Sequence, residues 1–371
     1  MIGQVTGRVT DAGTGVAIVH AQVDIPQWAL TTTTDSAGRF TLSGVTDGRW
    51  VIRARAPGYA TSLATGGDIR VHPSPVVLAC PKATTVATPH VIAIPSAPAP
   101  GSLVELTVVA DSATAVYATL FGQPISFTRD TTTAHRLIGL AAVPLDSTHD
   151  GSIALTYVYP NGTAAHGTAV LPVTLPPVIA SAAPPRREAL HVASQFAARP
   201  SGETARRVEA EGDLAHTVGT ASLGTRPLWH TPFEHPRPGR VTSPFGGGRM
   251  FNGQLQSRHA GTDFAGHIGD PVMAANRGVV AMVGDFFLAG TVVYLDHGGG
   301  LTSAYFHLSA VDVAVGDTVE RGQRIGAVGA TGRVTGPHLH WVVRYGTVSV
   351  NPLDALSLHV PASGDDVPLC H

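Results

Sequence analysis

Apolar and polar residues alternate in short runs through most of this chain, and the runs are broken by glycine, proline, asparagine and aspartate. Val5-Thr6-Gly7-Arg8-Val9 and Trp50-Val51-Ile52-Arg53-Ala54 are examples from the stretch Gly3 to about Leu78. A period of two lays one face of a strand on a core and leaves the other wet, so such runs predict half-buried antiparallel strands. The pattern returns at Val104 to Val109, Ala115 to Leu120, Ile153 to Tyr159 and Thr168 to Val173. Turns are expected at Phe121-Gly122-Gln123-Pro124 and Pro160-Asn161-Gly162. Further on, Gly278 to Gly284, Thr291 to Asp296 and Arg324 to Gly329 read as strands joined by glycine turns. One stretch breaks the rhythm: Ser201 to about Val218 predicts a helix, with Ser201 as its cap and Glu203 in the first turn, and with Gly212 and Gly219 weakening its far half.

Composition turns these elements into an architecture. A chain of 371 residues exceeds what one hydrophobic core serves, so two or three domains are expected. Hydrophobic residues make up 43% and charged residues 13%, with 42 Gly and 28 Pro, which favours short strands and many turns. The stretch Ala79 to Pro100, with one strand at Val91 to Ile94, reads as a linker, as does Pro176 to Pro185, while Pro227 to Pro238 is irregular and proline-rich. The expected fold is mainly β and multi-domain: two small N-terminal β-sandwiches over 1–80 and 86–178, and a linker over 179–238 with a helix near 201–218. A C-terminal antiparallel sheet domain over 239–358 and a tail over 359–371 complete it. Because the linkers separate self-contained strand sets, a fragment from about Pro185 onward is expected to fold by itself.

Charge and cysteine change the picture little. The formal net charge is −2 with no basic run and Lys82 as the sole lysine, so nothing points to nucleic acid or to an anionic membrane surface. Cys80 and Cys370 are the two cysteines; they either pair or remain free thiols. No run reaches the roughly 20 apolar residues that span a bilayer. The first residues, Ile2-Gly3-Gln4-Val5-Thr6-Gly7, pattern as a strand rather than as a signal peptide, so an export signal is expected to lie outside this numbering.

The candidate chemistry gathers near the end, where Gly332 to His340 reads G-R-V-T-G-P-H-L-H. On a strand, His338 and His340 project from one face while Leu339 turns into the core. A bare His-x-His is as readily a pair of surface or satisfied core histidines as a metal site. Upstream, however, Arg258-His259-Ala260-Gly261-Thr262-Asp263 offers a nitrogen and an oxygen ligand, and Tyr305-Phe306-His307-Leu308 offers another imidazole. Three such ligands with an open position suit a catalytic zinc, whereas structural zinc closes all four positions, usually with cysteine. His267 and His297 sit beside glycines in expected turns and read as structural, and His230, His235 and His371 read as solvent-exposed.

These blocks carry a resemblance. Arg240 to Leu356 is similar to the lysostaphin/LytM family of zinc metallopeptidases, which cleave peptide bonds of the bacterial cell wall. The similarity runs through Ser243-Pro244-Phe245-Gly246, Arg249, His259 to Asp263, Gly269 to Val272, Asp296-His297-Gly298, Tyr305 to Leu308, Gly316 to Gly326 and Thr335 to His340. It implies an antiparallel sheet with its ligands in a groove, one zinc ion bound by His259, Asp263 and His340, and His307 and His338 as metal-free catalytic histidines. The implied activity is that of an extracytoplasmic endopeptidase on peptidoglycan, acting on D-alanyl cross-links because no SH3-like wall-targeting module follows the peptidase. The complete ligand set weighs against the alternatives, a non-catalytic activator or a wall-binding scaffold. The block Thr34 to Leu42, with Asp47 to Trp50 and Pro57-Gly58-Tyr59, resembles the carboxypeptidase regulatory-like domain, and the second strand set resembles an immunoglobulin-like sandwich. The block Val315 to Gln323 has the glycine turns of biotin-carrying domains but no lysine to modify, so it reads as a structural hairpin.

Overall fold

The computed structural model describes residues 2–25, 30–46, 50–57, 59, 62–66, 76–80, 82–86, 90–110, 113–130, 133, 135–160, 163–175, 192, 196, 200–251 and 254–359. The linker expected at 176–185, nearly all of the C-terminal tail and Cys370 lie outside them. The mainly β, multi-domain expectation holds. Two sheets of three and four strands between Ile2 and Cys80 enclose a core that includes Val5, Val9, Val23, Phe40, Leu42 and Ile52. Sheets of four and five strands, built from Lys82 to Leu171, face each other across Leu106, Val116, Leu120, Ile153 and Leu155. No helix among the described residues is long and apolar enough to cross a membrane.

Two elements of the second sandwich depart from the sequence expectation. The stretch read as a linker supplies strands to both of its sheets. Lys82–Val86 pairs in parallel with Thr163–Leu171, and Val91–Ile94 pairs antiparallel with Leu103–Val109. The strand Arg136–Ala142 was not expected, because it carries little but small residues and leucines. Gly139 explains that composition: a Cβ there would meet the Ser126 carbonyl at 2.8 Å and the Phe127 ring at 2.9 Å, so the strand packs closer than a larger residue permits. Within the expected turn, Phe121 and Gly122 hold φ of 48° and 76°, the left-handed pair of a two-residue hairpin. Gln123 and Pro124 therefore begin the return strand Gln123–Ile125.

The C-terminal body is a ten-stranded sheet. Its two faces follow from the period of two. Leu339, Trp341, Val343 and Tyr345 of the strand His338–Tyr345, with Leu301 and Tyr305 of Leu301–Val311, point into the main core. Val342, Ala304, Val292 and Tyr294 emerge on the other face, where Ala215 of the helix Gly202–Ser222 covers them. The helix runs past the expected end. Ser201 makes no side-chain cap bond, and Gly219, expected to weaken the helix, is required by contact, since a Cβ there would overlap the Gly346 carbonyl.

The segments before the C-terminal sheet are built into it. Trp229 and Phe233 are buried, with ring centroids 5.6 Å apart, and Phe233 stands edge-on to His297 at 5.0 Å. From the second sandwich, Leu103, Leu140 and Ala142 join the same buried cluster as Trp341. The contact is sealed by Asn351 N donating to the Gly101 carbonyl at 2.7 Å and by Leu103 N donating to Asp354 Oδ2 at 2.9 Å. A fragment beginning near residue 185 would bare that apolar surface, because the second sandwich packs into the C-terminal sheet rather than being tethered beside it.

His297 is structural, as its place in Asp296-His297-Gly298 predicts. Its Nδ1 donates to the Arg277 carbonyl at 2.7 Å, and Ser303 Oγ bridges its Nε2 at 2.7 Å to the Tyr305 hydroxyl at 3.0 Å. Burial lowers this imidazole from 6.5 to about 4. Between those values the unfolded chain binds a proton that the folded chain refuses, so the stabilisation is complete above about pH 6.5 and lost as pH falls towards 4. The expected outcome is that, from pH 7 to 4, the wild type loses about 3 kcal/mol more than His297→Asn in denaturant unfolding, at 1.36 kcal/mol per pKa unit. Parallel losses in both proteins would refute the assignment.

Candidate metal centre

Strand pairing assembles the site. Thr262–Ala265 lies antiparallel to His338–Tyr345 in a register that sets Asp263 opposite His340 and Ala265 opposite His338. Cross-strand partners share a face, so the alternation that buries Phe264 and Leu339 in the core turns Asp263, His338 and His340 to the opposite side. The next strand sets Phe306 opposite His340, and the two rings lie 5.3 Å apart. His259 enters from the loop before Thr262. Gly261 permits its approach: a Cβ there would stand 2.8 Å from His340 Cε1 and 2.5 Å from the Trp341 carbonyl.

The ligating atoms of His259, Asp263 and His340 converge within 4.8 Å of one another, all three residues buried. His259 Nε2 lies 3.0 Å from Asp263 Oδ1 and 2.9 Å from His340 Nδ1, and His340 Nδ1 lies 2.6 Å from Asp263 Oδ1. The other nitrogen of His259 decides how this cluster is read. Nδ1 donates to the Pro244 carbonyl at 2.9 Å, with Ser243 Oγ at 3.2 Å, so its proton is on that side and Nε2 presents a lone pair. A lone pair aimed at a carboxylate oxygen and a second imidazole is repulsive unless a cation lies between them. The donor set therefore fits a divalent metal, with the carbonyl of Pro244 orienting the ligand from behind. Burial alone would raise the Asp263 carboxyl, but the His259 and His340 imidazoles set against it hold it well below the usual carboxylate range, ready to ligate as the anion.

Two further histidines border the cluster with rings 4.9 Å apart. His338 Nδ1 donates to the Gly336 carbonyl and His307 Nδ1 to the Thr331 carbonyl, each at 2.8 Å. His338 Nε2 reaches to 3.7 Å from Asp263 Oδ1. Burial first, then the neighbouring His340 and His338, push the His307 imidazole down to about 3, so it stands neutral. His307 also adopts a left-handed φ of 63°, uncommon outside glycine. All five residues expected from the sequence come together.

The residues expected to be bland stay apart. His267 is exposed and sits 3.7 Å from Asp270, while His230 and His235 are exposed. Sequence reasoning did not find the carbonyls of Pro244, Thr331 and Gly336. A backbone oxygen carries no residue-type signal, and Ser243-Pro244-Phe245-Gly246 stands out only as one block of the family resemblance.

The profile of a family described as Peptidase family M23 matches residues 257–352, and that of the Carboxypeptidase regulatory-like domain matches residues 4–78. Over 103 residues the chain is 46% identical to the peptidoglycan DD-endopeptidase ShyA of Vibrio cholerae, an alignment covering 28% of this chain and 23% of that protein. It is 40% identical over 114 residues to the DD-carboxypeptidase/endopeptidase Mpg of Neisseria meningitidis, covering 31% of this chain and 26% of the relative. The match thus spans about a quarter of the length of these curated relatives. A solved structure described as a peptidase M23 from Pseudomonas aeruginosa superposes with a TM-score of 0.50 at 28% identity, covering 70% of this chain and 95% of that one.

Gly261 offers a test of the metal centre that leaves every ligand in place. Gly261→Ala should push the His340 ring aside and weaken metal binding by about 10- to 100-fold, the usual effect of disturbing a ligand's support. Chelator competition measures it. Unchanged affinity in a folded variant would show that the approach of residue 261 to His340 does not govern the site.

Proposed function

We propose, from the premise that residues 257–352 form a peptidase family M23 domain, that this chain is a zinc-dependent endopeptidase that hydrolyses peptide cross-links of peptidoglycan outside the cytoplasm. The single observation that carries the reading is the buried His259, Asp263 and His340 triad, with its ligand atoms converging and two further imidazoles beside it. Two nitrogens and one carboxylate oxygen leave a position open, as catalytic zinc requires and structural zinc does not. Bound there, zinc supplies Lewis acidity, polarising a peptide carbonyl and acidifying water towards neutral pH.

The chain's own residues do the rest. His259 and His340 would each offer a ring nitrogen to the metal and Asp263 a carboxylate oxygen. The Nε2 atoms of His338 and His307 face the same space with their Nδ1 protons tied to carbonyls, so either imidazole can accept a proton from water at Nε2 and return it to the departing amine. The other would steady charge developing on the carbonyl oxygen once it carries a proton on Nε2. The core beneath, with Phe264, Leu339 and Trp341 fully buried, keeps this constellation rigid. The D-alanyl cross-link is the bond assigned. It agrees with the DD-endopeptidase and DD-carboxypeptidase/endopeptidase names of the relatives.

Purified peptidoglycan of direct and of pentaglycine cross-link type, incubated with and without a chelator, tests the assignment. Chelator-sensitive release of muropeptides cut at D-alanyl bonds is expected; digestion of the pentaglycine wall alone would overturn the choice of bond. His259→Ala, Asp263→Ala and His340→Ala should lose zinc and turnover together. His338→Ala and His307→Ala should keep zinc near one per chain and lose about 10²–10⁴-fold in turnover. Elemental analysis beside muropeptide release checks each variant, and loss of zinc from His338→Ala with retention in His340→Ala would reverse the two roles.

A further inference from the structure

The helix Gly202–Ser222 precedes the matched residues 257–352, yet it lies on the face of the sheet that carries the site. Its Ala215 covers Val292, Tyr294, Ala304 and Val342, and the residue two before Val342 on that strand is His340. One turn of the helix does more than cover. Glu211, with a side chain only 12% exposed, accepts the Phe287 amide on both carboxylate oxygens, at 3.0 and 2.9 Å. Arg207 pairs with Glu211 at 2.7 Å and donates to the Asp285 carbonyl at 2.9 Å. Together they grip the tip of the hairpin formed by Gly278–Phe286 and Gly290–Asp296.

That tip is where His307 is held. The Ala289 carbonyl accepts the His307 amide at 2.9 Å, and the Leu288 carbonyl accepts the Arg333 amide at 2.9 Å. Thr291 N donates to Thr331 Oγ1 at 3.0 Å, and the Thr331 carbonyl takes the His307 Nδ1 proton at 2.8 Å. A non-glycine residue at φ 63° persists only where its surroundings over-determine it, and here the turn's Ala289 carbonyl holds the backbone of His307, while Thr331, held by Thr291 next to the turn, holds its ring. We propose that Glu211, braced by Arg207, is a positioning residue for His307: it locks the 285–290 turn, and the turn locks the orientation and tautomer of the histidine. The helix is thereby part of the catalytic unit. The inference rests on the reading of His307 as a catalytic imidazole.

The test uses the full-length, zinc-loaded chain and the variants Glu211→Ala and Arg207→Ala, with Glu209→Ala on an exposed position of the same helix as control. Arg207 is half exposed, so its replacement tests the clamp even where Glu211→Ala proves poorly folded. The wild type and the control should show His307 as a single Nδ1-protonated tautomer in imidazole nitrogen spectra, whereas both clamp variants should show it averaged. On a cross-linked muropeptide, kcat should fall by about 10- to 100-fold at unchanged KM and zinc affinity, the range seen when outer-shell supports are removed. A locked His307 in both clamp variants overturns the proposal, as does loss of zinc affinity in step with kcat. Wild-type protein that cuts no cross-link would refute the endopeptidase reading instead, and the nitrogen spectra would still decide the role of Glu211.

Discussion

Three ligand atoms converge on one point in the middle of this sheet, and much of the molecule exists to keep them there. His259 Nε2, His340 Nδ1 and Asp263 Oδ1 stand within 2.6 to 3.0 Å of one another, and all three residues are buried. The Pro244 carbonyl fixes the His259 ring through Nδ1, and the strand register sets Asp263 opposite His340, so the three ligand atoms meet because of the packing around them.

That packing is divided by the alternation of the strands. One face of the sheet carries Leu339, Trp341, Val343 and Tyr305 into a core that also takes in Trp229 and Phe233 from the irregular segment before the sheet. The other face carries the site at one end and the helix Gly202–Ser222 at the other. Burial of about 25 cal/mol per Å² of apolar surface on the first face holds the strands in register, and register is what sets Asp263 opposite His340. A slip of one residue would turn the ligands into the core and Phe264 into the site.

The parts outside the matched peptidase stretch support the same centre. The second sandwich shares a buried cluster with the sheet and meets the turn that orients His259, where a Cβ on Gly101 would collide with the Phe245 ring. The helix grips the hairpin that holds His307. Such a layout couples the site to regions whose sequences carry no chemistry of their own.

The pattern of the sequence determined a good deal. Period-two alternation and the density of Gly and Pro define a mainly β chain, and the spacing His-x3-Asp with His-x-His supplies three donors that a strand and its neighbour can aim at one point. Those are properties of local geometry, readable because side-chain direction on a strand depends on position alone. Other features depended on partners distant in the chain. Beside the expected strand Val91–Ile94, the linker before Ser102 supplied a second, Lys82–Val86, because Thr163–Leu171 had a free edge for it. The helix ran through Gly219 because the Gly346 carbonyl occupies the space a side chain would need. The proton positions on His259, His307 and His338 were decided by carbonyl oxygens of Pro244, Thr331 and Gly336, atoms present in every residue type, so only the folded chain could single them out.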